Sequence, residues 1–203
     1  MALCSELVRL DLCDREFLAQ YTNAGYMVNL DEESDEQGLF ACGKSGDQAN
    51  PFRRHDQLWW DRRSGRAQLN HSEGADPALE GEYRLADGTP VKPAFQLLRE
   101  RLEKCTPEWA ADITGIAPEK IRALARELGL TARNASFELP IAWTDSWGRR
   151  HDTVRGNPVA FHAMRGMAAH SNGFQAIRAL SILMSLLGTI DRPGGFRHKA
   201  PFP

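Results

Sequence analysis

A surplus of positive charge is the first thing this sequence lacks. Its 25 Lys and Arg stand against 27 Asp and Glu, for a formal net charge of −2 and a pI of about 6.3. No long-range field draws it to nucleic acid or an anionic membrane, so any anion site must be local. No run of 18 apolar residues occurs, and no transmembrane helix is expected. The segment MALCSELVRL has no basic stretch followed by an apolar one and does not read as a secretory signal. Four cysteines, at 4, 13, 42 and 105, include no CxxC. Iron–sulfur and structural zinc sites draw clustered thiolates from tight loops. The four therefore read as buried, reduced residues, and no metal site is encoded by cysteine.

Catalytic signatures are missing too. No GxGxxG or P-loop spacing appears, and Ser171 lacks the GxSxG setting of a nucleophile elbow. Nothing around Cys105 suggests an activated thiol. His162 and His170 have no carboxylate at ligand spacing. No complete nucleophile–base set is present.

What remains is an ordinary globular composition, 42% apolar and 26% charged, in a chain long enough for one sizeable core or two small ones. Leu3, Leu7 and Leu10 mark a helix over Ala2–Leu12 with no N-cap ahead of it. Asp14 caps a second helix to Tyr21. Residues 31–88 open on the acidic run Asp31–Glu36 and read as solvated loops with edge strands, their apolar pieces (Leu39-Phe40, Leu58-Trp59-Trp60) too brief for a core. Phe95, Leu98 and Leu102 then give a helix over Pro93–Lys104. Thr106-Pro107-Glu108 starts another, with a hydroxyl cap, proline at the first helical position and an acid in the first turn. Ala117-Pro118-Glu119 starts a third, with Ile121, Leu124, Ala125 and Leu128 on one face and Gly129 as terminator. Phe137–Trp143 and Pro158–Met164 read as strands around a polar excursion, 145–157. A helix over 174–187 is apolar around most of its circumference and needs protein on nearly every face. Gly188 ends it, and the tail through Pro193-Gly194-Gly195 looks like a loop in mid-course, so a piece of a longer protein is expected.

Two places invite chemistry. Ile113-Thr114-Gly115-Ile116 followed by a helix has the pattern of a helix-turn-helix over 107–128; Lys120, Arg122 and Arg126 are offset there by Glu119 and Glu127. The alternative reading is thus a small DNA-binding or adaptor protein, or simply a packed helical hairpin. The second place is Arg165, Gly166, His170, Ser171, Asn172 and Gly173, between a strand and a helix. Ser171 or Asn172 would cap the helix, and its backbone N–H groups with these side chains, His162 and Arg178 suit phosphate. A structural loop remains open as well.

Taken in order, Asp14-Arg15-Glu16-Phe17-Leu18 with Tyr21-Thr22-Asn23, Thr106-Pro107-Glu108-Trp109-Ala110, Ile113-Thr114-Gly115-Ile116 with Ile121-Arg122, and Asn172-Gly173 through Arg178-Ala179-Leu180 to Leu187-Gly188 and Pro193-Gly194-Gly195 resemble the catalytic subunits of the molybdopterin oxidoreductases. The resemblance implies an α/β fold made of partial cofactor-binding domains: 1–135 the end of one, with an insertion at 31–88, and 136–203 the return into a second. It implies molybdenum bis(molybdopterin guanine dinucleotide) as cofactor, with 165–173 beside one dinucleotide. It implies a two-electron reaction on a small oxyanion, a sulfur compound or formate. The family's 4Fe-4S cysteine cluster and molybdenum ligand have no counterpart here, so turnover by this stretch alone is not expected. Implied partners are the remainder of the catalytic subunit, a membrane anchor and an iron–sulfur electron-transfer subunit, on either face of a bacterial inner membrane.

Overall fold

In the computed structural model, residues 1–44, 55–70, 72, 74–145, 148–163 and 165–196 are described. The chain is mixed α/β and divides into two compact units, Met1–Phe17 with Leu102–Pro203, and Leu18–Arg101. In chain order the elements are α1 (Ala2–Arg9), α2 (Arg15–Tyr21), β1 (Met27–Asn29), β2 (Cys42–Lys44), β3 (His55–Asp61), β4 (Arg66–Leu69), β5 (Tyr83–Arg84), β6 (Pro90–Pro93), α3 (Ala94–Leu102), α4 (Pro107–Thr114), α5 (Pro118–Asn134), β7 (Phe137–Leu139), β8 (Trp143–Thr144), β9 (Arg150–His151), β10 (Val154–Gly156), α6 (Arg165–Ala168) and α7 (Gly173–Leu186).

In the unit formed by both chain ends, the local signals act as the residue types dictate. Asp14 Oδ1 accepts from the Phe17 N–H at 2.9 Å and caps α2. Thr106 Oγ1 accepts from the Trp109 N–H at 3.1 Å, Pro107 opens α4, and Gly115 closes it with φ +71°. Ala2, Ala110 and Ile121 form a small buried cluster with Leu3 against it. The expected stop at Gly129 does not occur: α5 runs through it to Asn134. A Cβ there would stand 2.7 Å from Leu12 Cβ and 2.8 Å from Leu7 Cδ2. Gly129 is thus a close-approach residue that lets α1 and the chain after it lie on α5, and that packing outweighs its helix penalty of about 1 kcal/mol.

Two strand expectations are corrected. Phe137–Trp143 is broken at Pro140, which has no N–H to give a ladder; β7 pairs with β10, and β8 with β9, both antiparallel. Residues 158–163 form no strand. The Val159 N–H goes to Asn157 Oδ1 (3.2 Å), and its carbonyl accepts from the Thr189 hydroxyl, so side chains take both backbone groups that a neighbouring strand would need. Helix α7 falls half within expectation: Leu183, Met184, Leu186 and Leu187 are buried, whereas Phe174 at its start is 75% exposed. Trp147 and Met164, which belong to the expected excursion and strand, lie outside the described residues.

The unit Leu18–Arg101 overturns the view that its apolar pieces are too brief for a core. Sheet β1-β6-β5 and sheet β2-β3-β4 are both antiparallel, and single bridges Tyr26–Trp59 and Val28–Phe40 join them. Met27, Ala41 and Val91 are buried together, with Leu58, Trp60, Tyr83 and Leu85 packed around them. Trp60 stacks on Tyr83 at 4.5 Å and 18°. Period-2 alternation gives each strand only one or two inward residues, and the sheets pool them. Asp61 fastens the β3–β4 turn. Its carboxylate accepts from the N–H groups of Ser64 (2.9 Å), Arg63 (3.2 Å) and, fifteen residues on, Asp76 (2.8 Å). Hydrogen bonding from the Ser64 side chain, then from those N–H groups, holds it well below the usual carboxylate range. Its contribution to stability is therefore complete above the ordinary carboxylate pKa and fades only as the pH falls through the depressed value.

Gly129→Ala tests the close approach. Helix propensity alone would favour alanine, but overpacking against Leu7 and Leu12 costs about 1–3 kcal/mol; the expected result is a lower midpoint in chemical denaturation, and an unchanged or raised one would refute the reading.

Candidate functional site

The six residues singled out between 165 and 173 form an elbow. Arg165–Ala168 make the single turn of α6, the Ala169 N–H bonds the Arg165 carbonyl at 3.0 Å, and the Gly173 N–H bonds the His170 carbonyl at 2.9 Å. Arg165, Gly166, His170, Ser171 and Asn172 are all exposed, and Gly173 is buried. Gly173 makes the bend possible, because a Cβ there would lie 2.0 Å from the Ala168 carbonyl oxygen. The expected side-chain cap is absent: Asn172 holds the cap position at φ −102°, ψ 10°, away from the extended geometry of a capping residue, and its amide makes no cap bond. At the start of α7 the Gly173 N–H is thus taken by a backbone carbonyl, and no side chain of Asn172 caps the N–H groups that follow it. His162 and Arg178 are described as well, and both are exposed.

This donor set fits an anionic phosphate. It offers a guanidinium, an imidazole, a hydroxyl, an amide and an uncapped helix start, with nothing within 4 Å of the space a side chain at Gly166 would fill. It can bind and orient; it contains no nucleophile–base pair. Among the described residues, no three His, Cys, Asp or Glu side chains come together to hold a metal ion.

The helix-turn-helix candidate folds as a hairpin, α4 and α5, through the Ala2–Ala110–Ile121 cluster. Arg122, one of its three cations, is paired with Glu108.

A second cluster is one that the sequence does not announce. At the turn between β8 and β9, the Asp145 carboxylate is fully buried, although its hairpin is not. Arg149 donates to it from its backbone N–H and from Nε, both at 2.9 Å, and His151 Nε2 lies 3.0 Å from Oδ2. The His151 ring stacks on Trp143 at 4.7 Å and 19°, and the Trp143 indole N–H bonds the Thr153 carbonyl at 2.9 Å. The available signal is the register: an aspartate, a glycine turn and a histidine six residues on form a hairpin that faces Trp143 with His151.

The cysteines are less uniform than expected. Cys4 and Cys13 are buried, Cys105 is half-buried and Cys42 is exposed, because β2 turns its first side chain outward. Burial pushes the Cys4 thiol up to about 11 and the Cys13 thiol up to about 12.

No protein-family model matches the sequence. A sulfite dehydrogenase subunit of Allochromatium vinosum is 57% identical over 203 residues, all of this chain and 21% of that protein. The alpha chain of dimethylsulfide dehydrogenase from Rhodovulum sulfidophilum is 28% identical over 153 residues, 69% of this chain and 14% of that protein. Dimethyl sulfoxide reductase DmsA of Escherichia coli is 34% identical over 90 residues, 44% of this chain and 8% of that protein. Such relatives are catalytic subunits of molybdenum-containing oxidoreductases, and the chain belongs to that molybdopterin oxidoreductase family. It spans about a fifth of the length of the first of these relatives and less of the others.

Two measurements follow from this geometry. Gly173→Ala should open the elbow and raise the rate of limited proteolysis between 165 and 173 about tenfold or more, the kinetic counterpart of about 1–3 kcal/mol of overpacking, whereas Gly166→Ala should leave it nearly unchanged. In timed alkylation at pH 8 read by mass spectrometry, Cys42 should be modified first and Cys4 and Cys13 last, since their thiolates form only near pH 11 and 12; early labelling of Cys4 would contradict the packing of α1.

Proposed function

We propose that this chain is part of the catalytic subunit of a molybdopterin oxidoreductase that oxidises a sulfur oxyanion, and that its 165–173 elbow holds a phosphate of a molybdopterin guanine dinucleotide. The observation that carries the reading is the 57% identity, along all 203 residues, to a protein named as a sulfite dehydrogenase subunit. The elbow's donor chemistry supports it independently. The reaction is SO3²⁻ + H2O → SO4²⁻ + 2H⁺ + 2e⁻, and a bound molybdenum cofactor supplies its two-electron redox chemistry. The chain's own share is positional: Arg165 and His170 supply charge and donors to phosphate, Ser171 and Asn172 supply short polar contacts, and Gly173 fixes the angle at which α7 presents its N–H groups.

In this reading 1–135 and 136–203 belong to two α/β cofactor-binding domains, and turnover belongs to the whole catalytic subunit, with the 4Fe-4S cluster and the molybdenum ligand outside this stretch. Two of the relatives are named as single members of larger assemblies, which supports partners: a membrane anchor, and an iron–sulfur subunit to take the electrons. No described helix is long and apolar enough to cross a membrane.

The test is made on the full catalytic subunit. Losing one charge-assisted hydrogen bond removes about 1.5–3 kcal/mol, or roughly 10–100-fold in affinity. Arg165→Gln combined with His170→Ala should therefore lower molybdenum and released guanine nucleotide per protein together, both measured after gel filtration. Full retention of both would remove the elbow from the cofactor site. Absence of sulfite-dependent reduction of an artificial electron acceptor by the unmodified enzyme would remove the substrate assignment.

A further inference from the structure

The β8–β9 hairpin is organised around one imidazole more tightly than a short hairpin requires. A histidine whose nitrogen faces a carboxylate at hydrogen-bond distance carries its proton there when neutral, because an unprotonated nitrogen would oppose the carboxylate lone pairs. His151 therefore presents Nε2–H to Asp145 and a bare lone pair at Nδ1. Among the described residues nothing hydrogen-bonds Nδ1, and the side chain is 36% exposed. The ring is fixed on its face by Trp143 and at its inner edge by Asp145, which is itself held by two donors of Arg149. A base with one nitrogen anchored to a buried carboxylate and the other open to solvent has the arrangement that general-base histidines use. The charged groups around it are Asp145 at Nε2, Arg149 and Arg150 before it in the chain, and Asp152 after it. Both guanidinium groups are more than half exposed, Arg149 paired with Asp145 and Arg150 3.9 Å from Asp152, so each has solvent-facing N–H groups beside the ring.

We propose that this hairpin is a proton-accepting site for a small hydroxylated oxyanion, with His151 Nδ1 as the base and Asp145 as the residue that positions it. In the step, an O–H bond of the oxyanion breaks and its electron pair stays on oxygen. The proton forms an N–H bond at Nδ1, and the imidazolium is stabilised across the ring by Asp145. No electrons are gained or lost, so no oxidant is needed. The site is built from other residues than the 165–173 elbow. Hydrogen sulfite is the natural occupant if the sulfur-oxyanion reading holds, and inorganic phosphate, which also carries an ionisable O–H group on a tetrahedral oxyanion, probes the site without that reading.

Two measurements on the full catalytic subunit decide it. In the first, sulfite oxidation is followed from pH 5 to 9. His151→Gln keeps an N–H for Asp145 but removes the base, and should lower kcat about 10²-fold with KM changed less than about threefold and the acid limb of the pH profile abolished. Asp145→Asn, which no longer orients the ring, should lower kcat about tenfold with KM changed less than about threefold. An unchanged kcat and limb in His151→Gln overturns the proposal, and so does a loss accompanied by lost molybdenum or a collapsed melting temperature. In the second, His151 is modified with diethyl pyrocarbonate and mapped by mass spectrometry. Saturating phosphate should slow its modification at least about fivefold while leaving His162 unaffected; equal rates with and without phosphate overturn the proposal. If the unmodified enzyme does not oxidise sulfite, the substrate reading fails alone, and phosphate protection still decides the role of His151.

Discussion

Asp14 ties together three parts of the unit formed by the chain ends. Its N–H satisfies the Leu186 carbonyl at 2.8 Å, Oδ1 caps the start of α2, and Oδ2 takes Arg192 at 2.6 Å, across 178 residues of sequence. The Arg192 guanidinium also lies 4.9 Å from the Phe17 ring centroid, so the pair is roofed by an aromatic face. Because both side chains are largely out of water, the arrangement depends on every partner; removing one charge would leave the other nearly buried and uncompensated. Gly188 answers to the same constraint. It sits at φ +64°, and a Cβ there would lie 2.5 Å from Asp14 Oδ2. The positive φ that closes α7, with the Thr189 N–H bonded back to Met184, brings the helix end onto the aspartate.

The end of α7 is fastened on its other side by Asn157, which is buried and donates to the Leu187 carbonyl at 2.9 Å while its own N–H bonds Pro193. The backbone N–H of Asp14 and the side-chain amide of Asn157 thus satisfy the carbonyl end of α7, whereas no side chain caps its start. The contrast matters for chemistry. One end is buried and satisfied; the other has no side-chain cap and leaves an elbow that only glycine permits. A helix anchored at its carbonyl end can hold its N–H end in position without a side-chain cap there, which is what the proposed phosphate site would need.

How much of this is readable from residues alone follows the range of each interaction. Caps and starts are legible because their partners lie within four residues: Asp14 on Phe17, Thr106 on Trp109, Gly115 at φ +71°. Gly129 misleads because local pattern makes a glycine a stop, whereas Leu7 and Leu12, more than a hundred residues away, make it a spacer. Residues 158–163 mislead for a related reason: β-propensity describes what a segment tolerates, and the strand is lost to hydrogen bonds from Asn157 and Thr189. The core of the 18–101 unit stays invisible because Met27, Ala41 and Val91 each come from a different part of the chain. Of the candidate site, the six elbow residues stand out because they lie close together in sequence. The Asp145–His151 pair does not, because only hairpin register brings it together.

That register also separates the two polar sites in kind. At the elbow, the groups on offer are backbone N–H groups and the exposed side chains of Arg165, His170, Ser171 and Asn172, and in the proposed reading they serve to hold an anion rather than to move a proton. At the hairpin, the carboxylate is buried first and the titratable group is built outward from it, so the exposed nitrogen has a fixed direction and an imidazolium formed there finds its counter-charge in place. A protein that only had to bind an anion would gain nothing from burying Asp145, because desolvating a carboxylate beside an anion site opposes the ligand. Burial is useful where the neighbouring ring must gain a positive charge, and the clamp of Trp143, Arg149 and Asp145 on one edge of His151 is the arrangement that such a change requires.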